Sequence, residues 1–227
     1  FIIAEIGNNH NGQIKLAKKL VDLAIDSGAD CVKFQMRNLK SLYKNNGIDS
    51  DNSSDLGDQY TLDLLSRFQL SDEDLFQVFD YCKDKGKIPL CTPWDLDSLS
   101  TLENYGMEAY KVASADLTNL DLLGAIAKTN KTMICSTGMS TEIEIKQAVD
   151  FLKNKNAQYI LLHCNSTYPT PYRDVNLKYL ERLSLIDQNG IVGYSGHERG
   201  YIAPTLAVAM GAKVIEKHFT IDKNMEG

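Results

Sequence analysis

The chain has 227 residues, 43% of them hydrophobic, and a formal net charge of −6. That length fits one large domain, the acidic balance with no basic block disfavours nucleic acid as a partner, and no apolar run approaches the roughly 20 residues of a membrane span. The amino end lacks the basic flank and cleavage pattern of a signal peptide, and Cys31, Cys82, Cys91, Cys135 and Cys164 are scattered without a Cys-x-x-Cys pair, which predicts reduced core thiols in a cytoplasmic protein.

Phe1-Ile2-Ile3-Ala4 reads as a strand that ends at Glu5, and Asn8-Asn9-His10-Asn11-Gly12 reads as a turn. Leu16, Leu20, Leu23 and Ala24 then repeat at helical spacing, with Gly28 as the stop. Cys31-Val32 begins a second strand that ends at Lys33-Phe34-Gln35. The segment from Asn38 to Gln69 is long and rich in Asn, Asp and Ser; it reads as a lid over the strand ends, with a short helix around Leu62 to Arg67. Ser71 caps a helix whose apolar face is Leu75, Val78, Phe79 and Cys82, and Ile88-Pro89-Leu90-Cys91 is a strand ending at Thr92-Pro93-Trp94-Asp95.

Ser98 to Tyr105 is a short helix, and Tyr110 to Ala113 is a strand that ends at Ser114. A helix over Leu120 to Lys128 and a strand over Met133 to Cys135 follow, the strand ending at Ser136-Thr137-Gly138. Thr141-Glu142-Ile143-Glu144 opens a helix with acids where the helix dipole favours them. Ile160-Leu161-Leu162 ends at His163-Cys164-Asn165-Ser166, and Ile191 to Tyr194 ends at Ser195-Gly196-His197, with a helix over Asn176 to Leu185 between them. After a helix over Tyr201 to Met210, Val214 to Lys217 ends at His218.

Strand followed by helix, repeated, is the signature of a parallel sheet with right-handed crossovers. Eight strands close a barrel, so the expected fold is α/β, a TIM (β/α)8 barrel filling residues 1–227 as a single domain with its last helix truncated. A doubly wound dinucleotide fold is weakened because no Gly-x-Gly-x-x-Gly follows the first strand. Ligands of such barrels bind where the carboxyl ends of the strands converge, and nearly every strand here ends in a polar cluster.

His197 and His218 end the last two strands, which are neighbours in a barrel, so two neutral imidazoles can share a divalent metal such as Mn, Fe, Co or Zn. Lys33 and Lys111 either hold a phosphate or carboxylate as point charges or, if desolvated, serve as Schiff-base nucleophiles. Thr92, Ser114, Ser136, Ser166 and Ser195 add hydroxyls, and with the lysines they describe an anion pocket. Glu5 serves either as a base beside the metal or as an ion-pair partner of a lysine. His163 reads as a wall residue, while Asp95 and Asp116 have no role that spacing fixes. Glu216 and Lys217 alternate along the last strand, so one of them faces inward.

These residues lie in strings, Ala4-Glu5-Ile6-Gly7-Asn8-Asn9-His10-Asn11-Gly12, Val32-Lys33-Phe34-Gln35, Cys91-Thr92-Pro93-Trp94-Asp95, Tyr110-Lys111-Val112-Ala113-Ser114, Ser136-Thr137-Gly138-Met139, Leu162-His163-Cys164, Tyr168-Pro169-Thr170-Pro171, Gly193-Tyr194-Ser195-Gly196-His197 and Ile215-Glu216-Lys217-His218-Phe219-Thr220. In this order, over essentially the whole chain, they resemble the catalytic domain of the sialic acid synthase family, which includes N-acetylneuraminate, legionaminic acid and pseudaminic acid synthases. The resemblance implies a TIM barrel that condenses phosphoenolpyruvate with an N-acetylated amino sugar, a transferase of nonulosonate biosynthesis. It implies a divalent metal on His197 and His218, manganese first, with magnesium or cobalt as alternatives, and Glu5 beside it. Lys33, Lys111, Thr92, Ser114, Ser136, Ser166 and Ser195 would hold phosphoenolpyruvate; Gln35 and Tyr168 would contact the sugar. Asp116, where many members carry Glu, stands among the substrate-contacting positions. Gly196 departs from the Ser-Asp-His of many members, which removes a carboxylate next to a ligand. A homodimer is implied for the full-length protein, with an antifreeze-like domain beyond Gly227. The competing readings are a Schiff-base aldolase or lyase on Lys33 or Lys111, and a non-catalytic barrel that binds sugar or phosphate.

Overall fold

The computed structural model describes residues 1–42, 64–188 and 190–225. Eight parallel strands close a barrel in sequence order: β1 (Ile2–Glu5), β2 (Cys31–Met36), β3 (Ile88–Pro93), β4 (Ala109–Val112), β5 (Thr132–Ser136), β6 (Tyr159–Cys164), β7 (Ile191–Gly196) and β8 (Val214–His218). β8 pairs with β1, which sets His218 opposite Glu5, and β1 pairs with β2, which sets Glu5 opposite Lys33. The first and last strands thereby bring predicted site residues together from opposite ends of the sequence.

Among the described residues seven helices of eight residues or more cover the outside, each following the strand of the same number: α1 (Ile14–Asp26), α2 (Asp72–Asp84), α3 (Leu96–Tyr105), α4 (Leu120–Lys128), α5 (Glu142–Asn154), α6 (Tyr179–Ile186) and α7 (Ile202–Ala209). Their starts have local causes. Ser71 Oγ accepts from the Asp74 amide at 3.1 Å, and Thr141 with Glu144 forms a reciprocal capping box. α3 begins two residues before the expected Ser98 because Asp95 is its cap, accepting from the Ser98 amide at 2.7 Å. α6 begins three residues later than expected because Asn176 sits at φ 50°, outside the right-handed helical region. Among the described residues no helix follows β8, and none is long and apolar enough to cross a membrane.

Of the expected lid, residues 43–63 lie outside the described ones; Leu39–Leu42 form one helical turn, and residues 64–68 are helical. The segment's two ends meet, since Gln69 Nε2 donates to the Arg37 carbonyl at 2.8 Å.

The largest core lies between barrel and helices, where outward residues such as Phe34 of β2 meet Phe79 of α2 edge-on, ring centroids 5.8 Å apart. All five cysteines are free and buried. Inside the barrel the side chains form tiers, because alternate residues of each strand point inward. Ile3, Cys31, Leu90, Ile134, Leu162 and Val214 make an apolar plug. A Cβ on Gly193 would stand 2.3 Å from the Val214 carbonyl oxygen and 2.6 Å from a Leu162 methyl, so only glycine fits between its neighbours there. Two residues further along each strand, apolar character gives way to charge: Glu5, Lys33, Thr92, Lys111, Ser136, Cys164, Ser195 and Glu216 all line one cavity.

Candidate active site at the carboxyl ends of the strands

The tier above the plug holds two cations and two anions. Lys33 Nζ stands 2.7 Å from Glu5 Oε2 and 3.3 Å from Glu216 Oε1, and donates to Thr92 Oγ1 at 3.2 Å. Lys111 Nζ donates to Ser136 Oγ at 2.7 Å and to the Val112 carbonyl at 2.9 Å, with Glu216 Oε2 at 3.5 Å. All four charged groups are at most 5% exposed. Isolated charges at that depth would cost several kcal/mol each, so mutual pairing is the condition for burying them. Burial works against the charge on Lys33, yet Glu5 and Glu216 outweigh it and hold the ammonium above its ordinary range. Burial likewise opposes charge on Glu216, but Lys111 and Lys33 hold its carboxyl below the usual carboxylate range. Glu5 is also the end of a polar chain: Gln35 Nε2 donates to its Oε1 at 2.6 Å, and Gln35 Oε1 accepts from Trp94 Nε1 at 3.3 Å and from Arg37.

One level higher, the imidazoles of His197 and His218 meet edge-on with ring centroids 5.5 Å apart. His197 Nδ1 lies 2.7 Å from the Asn165 carbonyl oxygen. A carbonyl only accepts, so Nδ1 carries the proton and Nε2 keeps its lone pair. Both Nε2 atoms converge on one point, the Tyr168 hydroxyl, at 2.7 Å for His197 and 3.3 Å for His218. Tyr168 stacks on His197 with centroids 3.9 Å apart. Burial, then the neighbouring His218, pushes His197 down to about 4, and desolvation also lowers His218, although that residue is partly open to solvent, so the neutral form of both rings is favoured. Two neutral imidazoles aimed at one point fit a divalent cation, and the carbonyl on His197 Nδ1 is the partner a metal-binding histidine takes. Among the described residues no group of three or more His, Cys, Asp or Glu is arranged to hold a metal, so the remaining coordination positions would fall to water and substrate.

The cavity enclosed by these groups measures about 190 Å³. It brings together Glu5, Lys33, Gln35, Thr92, Lys111, Ser114, Ser136, Ser166, Tyr168, Ser195, His197 and His218 from the sequence-predicted set. Asp116 does not line it: its Oδ1 accepts from Asn119 Nδ2 at 3.2 Å, and its Oδ2 is buried with no hydrogen-bond partner. The Ser166 hydroxyl is buried at the cavity without a partner, while Ser114 Oγ accepts from the Gly138 amide at 3.1 Å. His163 is buried behind the wall, its Nε2 2.7 Å from the Val175 carbonyl oxygen and its ring between Tyr179 and Tyr194. A wider cleft of about 1030 Å³ opens alongside between the loops after β5 and β6, sharing Met139, Cys164 and Ser166 with the cavity.

Sequence reasoning left Glu216 without a role and did not single out Trp94 or Arg37. Glu216 is the partner of both lysines, and Arg37 lies over the Trp94 ring, 4.5 Å from its centre. A signal for Glu216 was present: a strand that turns His218 inward turns inward the residue two before it.

Comparison with known proteins gives a consistent picture. Residues 20–227 match the model of the NeuB family. Over its full length the chain is 45% identical to an uncharacterized protein of Methanocaldococcus jannaschii and 42% identical to the N,N'-diacetyllegionaminic acid synthase of Campylobacter jejuni, spanning 64% and 69% of their respective lengths. A crystal structure of N-acetylneuraminic acid synthetase from Leptospira borgpetersenii superposes with a TM-score of 0.89 at 35% identity, covering 98% of this chain and 73% of that one.

Proposed function

The chain belongs to the NeuB family, and from that premise we propose that it condenses phosphoenolpyruvate with the aldehyde of a 2-acetamido sugar, giving a nonulosonic acid and inorganic phosphate. The observation that carries this reading is the vertical order of the cavity. A hydroxyl-rich tier in which Lys33 and Lys111 are paired with Glu5 and Glu216 lies directly below two imidazole nitrogens that converge on one point. An anionic enol and an aldehyde would need that pair of environments side by side.

In the proposed reaction the enol carbon bonds to the aldehyde carbon, whose oxygen becomes a hydroxyl. Water adds to the former enol carbon that bears the phosphate, the carbon–oxygen bond to phosphate breaks, and a ketone remains. A divalent cation such as Mn²⁺ on His197 and His218 would supply Lewis acidity toward the aldehyde oxygen. Lys111, Ser114, Ser136, Ser166, Ser195 and Thr92 hold the phosphate-bearing substrate, and the unpartnered Ser166 hydroxyl is the donor with nothing to give up. Lys33 exchanges part of its carboxylate pairing for the incoming anion. Glu5, oriented by Gln35, accepts the proton of the attacking water. Gln35 and Tyr168 face the acceptor sugar at the rim.

The test is phosphate release with Mn²⁺, phosphoenolpyruvate and a panel of N-acetylated amino sugars, run on the full-length protein. Release is expected only when all three are present. Release that survives both chelation and H197A removes the metal from the reading. A Schiff-base mechanism draws no support from Lys33, which Glu5 and Glu216 keep protonated; borohydride trapping of a substrate adduct on Lys33 or Lys111 would favour it instead.

A further inference from the structure

Behind the two imidazoles, on the helix side of the barrel, lies a second buried charged group. Glu198 is 3% exposed and is spaced one residue beyond His197. Its Oε2 accepts from the Tyr194 hydroxyl at 2.6 Å, and its Oε1 pairs with Lys217 Nζ at 2.8 Å. Lys217 Nζ also donates to the Glu198 main-chain carbonyl. Lys217 immediately precedes His218. The residue after one imidazole is thus bonded twice, through backbone and side chain, to the residue before the other.

Gly196 is what makes room for this arrangement. A Cβ at that position would stand 2.8 Å from Glu198 Oε2, 2.9 Å from Glu198 Oε1 and 2.8 Å from Tyr194 Cε1. The carboxylate is pinned by Tyr194 and Lys217, so it cannot swing aside cheaply. The space that a side chain at 196 would fill is filled by the carboxylate of residue 198. The glycine therefore does not empty the region of negative charge; it admits a carboxylate from two residues further on.

We propose that the Glu198–Lys217 ion pair, admitted by Gly196, is a clamp that fixes the spacing of His197 and His218 and thereby sets affinity for the divalent cation. The proposal rests on the reading of those imidazoles as a metal site. Glu198 and Lys217 are positioning residues here, acting only through the two histidines. That backbone has other supports: the Thr170 amide donates to the His197 carbonyl at 3.2 Å, the Tyr172 hydroxyl donates to the Arg199 carbonyl, and Gly196 pairs with Lys217 in the β7–β8 ladder; the clamp adds a side-chain tie beyond the end of that ladder.

The experiment measures Mn²⁺ binding by calorimetry, with the metal alone as probe, in full-length wild type, E198Q, K217M and K217R, together with phosphoenolpyruvate binding and a crystal structure of K217M. K217M and E198Q are expected to lower Mn²⁺ affinity about tenfold or more, while K217R, which keeps the ion pair, stays within about threefold of wild type. Phosphoenolpyruvate affinity, which depends on the tier below, is expected to stay within about twofold in all three variants, which separates a clamp from general damage to the barrel. In the K217M crystal structure the imidazole centroids are expected to depart from 5.5 Å. Unchanged Mn²⁺ affinity in K217M and E198Q, with the rings in place, overturns the proposal. If wild type takes up no Mn²⁺, the metal reading falls. The clamp then stands on the K217M structure if the rings have moved, and is overturned if they have not.

Discussion

Glu216 and His218 leave the same face of β8 two residues apart, and carry a carboxylate and an imidazole to successive levels of the barrel interior. The carboxylate sits between Lys33 and Lys111; the imidazole sits at the rim above them. Removing the charge of Glu216 would therefore act on the fold before it acts on the chemistry. E216Q leaves Lys111 with no carboxylate and Lys33 with one, in a layer where both lysines are buried. It is expected to lower unfolding free energy by about 3–5 kcal/mol, read from urea denaturation at constant m-value. A double variant E216Q/K111M, which removes one of the stranded cations as well, should recover part of that loss. Equal stabilities for wild type and E216Q would mean that the lysines find other partners.

Much of this arrangement was legible in the chain, and what was not has a physical reason. Strand ends and helix faces follow from local periodicity, so the barrel and the inward lysines could be read directly. An ion pair of Glu5 with one of the two lysines was among the readings, but the choice of Lys33 was not legible, because it depends on β1 and β2 lying side by side in one register. Glu216 was readable by parity once His218 was turned inward, but its role was not, since its two partners come from β2 and β4, more than a hundred residues away in sequence. Asp95 reads as a strand-end acid and is in fact spent on capping α3. Gly196 reads as the loss of a carboxylate until the side chain of Glu198 is seen folded back into its space.

The two lysines should fail in different ways. Lys33 neutralises Glu5 at 2.7 Å and shares Glu216, so K33M strands carboxylates inside the barrel and is expected to cost about 3–5 kcal/mol of stability. Lys111 touches Glu216 only at 3.5 Å and otherwise meets hydroxyl and carbonyl oxygens. K111M should keep more of the fold and lose the anion, raising the phosphoenolpyruvate dissociation constant about tenfold or more. Thermal denaturation and calorimetry on the same preparations separate the two. If K111M binds phosphoenolpyruvate as tightly as wild type, Lys111 is a structural cation and not a substrate ligand.

Acid stability should report on His10, which lies away from the imidazole pair. It is 3% exposed, its Nδ1 accepts from the Gly12 amide at 3.2 Å, and its ring lies beside Phe34. Burial pushes it from 6.5 down to about 4. On acidification the unfolded chain takes up this proton first, so the stability present above pH 6.5 is lost progressively as the pH falls toward 4. Over that window His10 contributes about 3 kcal/mol of the loss. H10N, which keeps an acceptor but cannot titrate, should show a shallower fall in unfolding free energy between pH 7 and 4.5. Parallel curves for the two proteins would show that the buried ring is protonated at little cost.

The Tyr168 hydroxyl stands where the two Nε2 atoms converge, and a cation in that place would have to displace it. Tyr168 is largely exposed, so moving it gives up chiefly its contacts with the rings of His197 and His218. Its hydroxyl is then a competitor for the imidazoles and not a ligand. Y168F should bind Mn²⁺ as tightly as wild type or somewhat more tightly, whereas H197A and H218A, each deleting one of two protein donors, should weaken binding by more than about tenfold. Calorimetric titration of the three variants with Mn²⁺ decides between these outcomes. A loss in Y168F as deep as that in H197A would make the phenol oxygen part of the donor set, and the site would then have three protein ligands in place of two.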